Sequence, residues 1–152
     1  MEEERFVSEV RAMERTLYRV ARGYLRTWDE CADAVQEALC KAWDKRKRVD
    51  ESYFRPWLTR IVINECHNIG RRKKRLIPVA EPEREPAPEP ALPELADALE
   101  ALPEKLRLPL VLCYSEGMSY EEAAAALRIP LSTLRGRIHR GRGQLRKELN
   151  AE

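Results

Sequence analysis

The chain has 152 residues, enough for one average domain or two small ones. Hydrophobic residues make up 43% and charged residues 36%, no apolar run reaches membrane-spanning length, and the start, Met1-Glu2-Glu3-Glu4, is acidic. These features argue against a transmembrane helix and a secretory signal, and a soluble, cytoplasmic protein is expected. Leu, Ala, Glu and Arg dominate while β-branched residues are sparse, so an all-α fold is expected. The formal net charge of +2 names no partner. Its distribution is more telling. Residues 1–75 carry 18 basic and 13 acidic side chains, residues 76–103 carry 1 and 7, and residues 104–152 carry 9 and 6. Two basic blocks flanking an acidic connector suit a polyanion such as nucleic acid. On charge alone, plain solvated helix faces account for the pattern equally well.

Three helices are predicted in the first block. The first places Phe6, Val10, Met13, Leu17, Val20 and Tyr24 at spacings of three and four. The second starts near Asp29 and carries Cys31, Val35, Leu39 and Trp43 on related faces. The third follows Ser52, with Pro56 tolerated in its first turn. It uses Phe54, Trp57, Leu58, Ile61, Val62 and Ile69, then ends in Arg71-Arg72-Lys73-Lys74-Arg75.

Residues 77–93 hold six of the ten prolines. Proline removes amide donors and fixes φ, so this stretch reads as a semi-rigid linker that could span up to ~50 Å. It divides the chain into a domain over 1–76, a Pro/Glu-rich linker over 77–93 and a second domain over 94–152. Shorter helices are predicted near 93–101 and 104–115, the latter starting late or kinked at Pro109. Ser119-x-x-Glu122 is a capping box opening a helix from Tyr120 to Leu127. After the break Arg128-Ile129-Pro130, a last helix runs from about Leu131 to Leu149, with Leu134, Ile138, Leu145 and Leu149 as its core stripe.

A capped helix, a tight turn and a longer basic helix follow helix-turn-helix grammar. At about 100° per residue, the face opposite the leucines holds Ser132, Gly136, His139, Arg140, Gly143 and Lys147, flanked by Arg135 and Arg142. Small residues there allow close approach to a major groove, and arginines reach phosphates or guanine edges. Gly136, Gly141 and Gly143 each weaken a helix by about 1 kcal/mol relative to Ala. Fraying beyond residue 140 is the competing reading.

Cys31, Cys40, Cys66 and Cys113 form no C-x-x-C pair. Reduced, mostly buried thiols are expected, with no metal and no cofactor. No nucleophile–base pair or phosphate-cradling glycine loop points to catalysis.

Taken together, these residues resemble the extracytoplasmic-function (ECF) sigma factors, the small two-domain class of bacterial RNA polymerase initiation subunits. The resemblance covers roughly residues 5–149. In the first domain it rests on Leu17-Tyr18-Arg19-Val20-Ala21-Arg22, on Asp33-Ala34-Val35-Gln36-Glu37-Ala38 through Trp43, and on Trp57-Leu58-Thr59-Arg60-Ile61-Val62-Ile63-Asn64 with the basic run. In the second it rests on Leu99-Glu100-Ala101-Leu102-Pro103, Gly117-Met118-Ser119-Tyr120-Glu121-Glu122-Ala123-Ala124 and Ile129-Pro130-Leu131-Ser132-Thr133-Leu134-Arg135-Gly136-Arg137.

The resemblance implies roles. Asp33, Gln36 and Glu37 would dock on the β′ clamp of core polymerase, with Trp43 in the core. Asn64 would lie near a pocket for a base flipped from the −10 element, an extrusion that costs a few kcal/mol. Arg55, Arg60, Arg71, Arg72 and Lys73 would hold the opened strand, and the loop from Lys45 to Ser52 would set sequence preference. Ser132, Thr133, Arg135, Arg137, His139 and Arg140 would contact the −35 duplex, Arg137 through phosphate. The implied partners are core RNA polymerase (β′ clamp and β flap), promoter DNA and an anti-sigma factor covering the Asp33–Glu37 face, with the free chain a monomer.

Four positions depart from the family pattern. Ser132 and Gly136 stand where Gly and Ser are usual, so the helix start and its readout are expected to be unusual. Thr59 replaces a common Tyr, which puts aromatic stacking there in doubt. Gly141 replaces a frequent Ala and is expected to loosen the last turns. A stand-alone helix-turn-helix regulator, with a ligand-binding or dimerising first domain, is the alternative; it would bind DNA without core polymerase.

Overall fold

The computed structural model describes residues 1–75 and 93–150, and the chain divides into two units, Met1–Glu85 and Pro86–Glu152. Most of the predicted linker lies outside the described residues. Pro93 does not: it opens a helix, where its missing N–H costs nothing. Among the described residues every regular element is helical.

In the first unit, α1 (Glu3–Arg22), α2 (Trp28–Lys45) and α3 (Phe54–Arg75) surround one core. The Thr27 side chain caps α2 by accepting from the Glu30 N–H. The core face of α2 is Cys31, Ala34, Val35, Ala38 and Ala42, and its small side chains allow α3 to approach closely. Leu39 and Trp43, predicted to share that face, are half-buried. Phe6 of α1 stands edge-on to Trp43 at 5.3 Å and to Phe54 at 5.7 Å, pinning all three helices at one end. The exposed side of Trp43 is covered by the Arg46 guanidinium, 3.8 Å from the ring centre.

α3 differs from expectation in its buried set. Leu58, Val62 and Ile63 are fully buried, while Ile61 and Ile69 are half-exposed. Thr59 is also buried, its hydroxyl donating to the Arg55 carbonyl at 2.8 Å. Thr59 therefore faces the core and offers no surface to DNA.

The second unit contains α4 (Pro93–Glu100), α5 (Glu104–Leu110), α6 (Tyr120–Leu127) and α7 (Leu131–Asn150). Pro109 sits inside α5, which passes directly into a π-helical turn at Val111–Ser115. The predicted kink is thus a change of helical winding. The capping box is present: Glu122 N–H donates to Ser119 Oγ at 3.0 Å, and Ser119 N–H to the Glu122 carboxylate at 3.1 Å. Arg128 ends α6 in the left-handed region, at φ 55° and ψ 48°. The chain can then reverse into α7 without a glycine.

α7 is continuous, so it does not fray after residue 140. Its buried residues are Leu134, Ile138 and Gly141. Leu145 is half-buried and Leu149 is 48% exposed, so the predicted core stripe ends early. The seat of the contact is Gly141. A Cβ there would stand 3.1 Å from both the Leu106 carbonyl oxygen and Leu110 Cδ1 of α5. Gly141 therefore does not loosen the helix; it lets α7 lie against the α5 backbone.

Candidate polymerase and promoter interfaces

Asp33, Gln36 and Glu37 are exposed on the outer face of α2, on one side as their spacing requires. They line a groove of about 640 Å³ whose opposite wall is Asn68, Arg71 and Arg72 of α3. Residues assigned to two different partners thus border one groove. Its floor holds a pair that sequence reasoning missed. Glu65 is only 4% exposed, and Lys41 of α2 donates to its carboxylate. Lys41 also stands four residues from Glu37, yet its partner is Glu65 on α3. Arg71 donates to Asn68 Oδ1, which aligns its guanidinium along the groove.

The DNA-directed residues of α3 separate by helix angle. Arg60, Asn64 and Arg71 recur at spacings of four and seven on one face of the helix, joined by His67; His67 and Arg71 are exposed, while Arg60 and Asn64 are, like Arg55, half-buried. His67 is held edge-on against Tyr24 at 5.1 Å. Arg72 flanks the stripe. Arg55 does not join it: it sits about 140° away from Arg60 around the helix and is half-buried. Lys73 continues the helix backbone, and its side chain lies outside the described residues.

Before α3, the segment from Arg46 to Tyr53 forms two 3₁₀ turns. Asp50 organises the second turn: its carboxylate accepts from Ser52 N–H at 3.0 Å and Ser52 Oγ–H at 2.8 Å. Those two donors hold the Asp50 carboxyl below its ordinary range. Arg5 of α1 pairs with Glu51 at 3.1 Å. The end of the loop expected to set sequence preference is therefore held by its own contacts.

On α7, Ser132, Arg135, His139 and Arg140 are exposed, while Thr133 and Arg137 are half-buried at the margins. Gly136 gives Arg140 room: a Cβ there would meet Arg140 Nη1 at 3.2 Å. The guanidinium thus folds back toward the helix start. Arg142 is drawn away to Tyr114, donating to its hydroxyl and standing 4.8 Å over its ring. The hydrogen bond with Tyr120 pushes the Tyr114 phenol above its ordinary value, with the Arg142 charge pulling the other way. Among the described residues no group of three or more His, Cys, Asp or Glu could hold a metal ion, and no helix is long and apolar enough to cross a membrane.

Comparison with known proteins agrees with both units. Residues 10–76 match sigma-70 region 2, and residues 92–145 match sigma-70 region 4. The chain is 37% identical over 147 residues to the ECF RNA polymerase sigma factor SigE of Mycolicibacterium smegmatis, an alignment spanning 88% of this chain and 57% of that protein. It therefore spans little more than half of that relative's length. It is 33% identical over 134 residues to the ECF RNA polymerase sigma-E factor of Escherichia coli K12, spanning 72% of this chain and 69% of that one. Among solved structures, the Bartonella quintana sigma factor RpoE, crystallised with the anti-sigma factor NepR, superposes with a TM-score of 0.78 at 27% identity. That superposition covers 98% of this chain and 99% of the other. CnrH, solved with the cytosolic domain of CnrY, gives a TM-score of 0.72 at 26% identity, covering 99% and 91%. With regions 2 and 4 in order and relatives of this identity and coverage, the chain belongs to the sigma-70 family of RNA polymerase sigma factors, in its extracytoplasmic-function group.

Proposed function

We propose that this chain is a promoter-specificity subunit that binds core RNA polymerase and directs transcription initiation in the cytoplasm. The observation that carries this reading is the pairing of a region 2 unit and a region 4 unit in one chain. Asp33, Gln36 and Glu37 offer two carboxylates and an amide to a basic segment of the β′ clamp. Arg60, Asn64, Arg71 and Arg72, with Arg55 and Lys73 beside them, hold the opened −10 strand. The α6–α7 helix-turn-helix reads −35 as duplex through Ser132, Thr133, Arg135, His139 and Arg140, with Arg137 on phosphate. The β flap of the polymerase would hold region 4.

No step of chemistry belongs to the chain; the polymerase supplies catalysis. An anti-sigma factor is a proposed partner, because both solved neighbours were captured with another protein, named an anti-sigma factor for RpoE. It would cover the Asp33–Glu37 face of a monomeric free chain.

Run-off transcription with bacterial core polymerase on a random promoter pool tests the reading. Transcripts that require this chain and share two motifs at fixed spacing support it. Duplex binding by the isolated chain with no transcripts would instead favour a stand-alone regulator.

A further inference from the structure

The loop between α2 and α3, residues 46–53, is gripped at both ends by the first turn of α1. At its start stands Arg46. Its guanidinium lies 3.8 Å over the Trp43 ring, donates to the Trp43 carbonyl at 2.9 Å and reaches the Glu3 carboxylate at 3.4 Å. Near its end stands Glu51, paired with Arg5 at 3.1 Å. Phe6, in the same turn of α1, sits between the roots of the loop. It is edge-on to Trp43, near the end of α2, and to Phe54, the first residue of α3. One turn of α1 thus touches the entry, the exit and both flanks of one loop.

The placement matters more than the strength of the pairs. Arg5 and Glu51 keep 58% and 44% of their side-chain surface in water, and Glu3 keeps 70%. Exposed ion pairs of this kind contribute little to stability. Phe6, which is buried, supplies the anchorage. What the pairs can do is select among arrangements of a short loop. With entry and exit both tied to a single helical turn, the residues between them have few ways to run. Those residues include the exposed cations Lys47 and Arg48.

We propose that the first turn of α1 is a brace for this loop, with Glu3 and Arg5 as positioning residues that set how narrowly the −10 element is read. They act through Arg46 and Glu51 and touch no DNA in this role. The proposal rests on the reading of the loop as the source of −10 sequence preference. A braced loop offers the strand one arrangement, so a wrong base loses its contacts. A released loop adapts to the wrong base and penalises it less.

The test uses the full chain with core polymerase, on the −10 sequence recovered from the random pool and on its single-base variants. Arg5→Ala and Glu3→Ala are each expected to reduce the ratio of transcription between the two by about two- to fivefold, the range an exposed pair carries. Binding to core polymerase and to −35 duplex should match wild type. Glu51→Ala should act like Arg5→Ala, and the double variant should be no worse than either, since both singles remove one contact. An unchanged ratio in Arg5→Ala or in Glu3→Ala would overturn the proposal. So would an equal loss on every promoter, which is what lower stability alone produces. Additive losses in the double variant would make Glu51 a contact in its own right and overturn the pairing. If the wild-type chain itself does not discriminate among the −10 sequences, the −10 reading and the brace fall together.

Discussion

Lys41 of α2 and Glu65 of α3 form an ion pair at the floor of the groove between their helices. Glu65 is almost wholly buried, whereas Lys41 keeps part of its side chain in water. The pair therefore does more than a surface salt bridge, because removing the lysine strands a carboxylate inside the protein. It also fixes how the Asp33–Glu37 face turns relative to Arg71 and Arg72.

Lys41→Ala should lower stability by about 1–3 kcal/mol in urea unfolding, the cost of a buried acceptor left unmet. Glu65→Gln should cost less, since the amide carries no charge. The exchanged pair, Lys41→Glu with Glu65→Lys, should recover part of the loss. A Lys41→Ala variant as stable as wild type would show that the pair is incidental.

The glycines of α7 should respond in opposite directions. Gly143 has nothing within 4 Å of an added Cβ, so Gly143→Ala should raise stability by about 1 kcal/mol. Gly141→Val should lower it by about 1–3 kcal/mol, because the Leu106 carbonyl cannot retreat without moving α5. Thermal melts of the two variants measure both shifts against one baseline.

Thiol reactivity should follow burial. Cys40 is exposed, Cys113 is half-buried with its thiol pushed up by desolvation, and Cys31 and Cys66 are buried. Iodoacetamide at neutral pH should label Cys40 first and Cys113 more slowly. Cys31 and Cys66 should react only when the first unit opens. Mass spectrometry of timed samples gives the order.

The Asp50 cap should persist into acid. Its carboxyl titrates below the ordinary value of 3.8 because Ser52 donates to the charged form. A depressed folded value means that the cap's contribution is complete above the unfolded value. It is lost only as pH falls through the lower, folded one. Carboxyl NMR should show the Asp50 midpoint below 3.8 in wild type and a return toward it in Ser52→Ala.

Much of this architecture is legible in the residues, and the failures are instructive. The apolar spacing of α1 and the Ser119–Glu122 box are local signals; α6 forms where its box places it, while α1 ends at Arg22 and leaves Tyr24, the last residue of the predicted stripe, in the turn beyond. Leu145 and Leu149 keep the same period as Leu134 and Ile138, yet they are not core. Periodicity states which way a side chain points but not how far the facing helix extends. Glu65 fails for the opposite reason. A charged residue reads as surface until a cation 24 positions earlier in the chain is folded beside it. Gly141 reads as a weak helix former because propensity is local, while its use is a close approach to another helix.

α3 leaves this protein little freedom to drift. One side of its 22 residues is core, another borders the groove through Glu65, Asn68 and Arg72, and a third carries the stripe of Arg60, Asn64 and His67. Arg71 belongs to two of these at once. Substitutions within the helix therefore compete among three demands. A change at one position of α3 disturbs packing, groove and stripe together, so altering any one of them takes several substitutions at once.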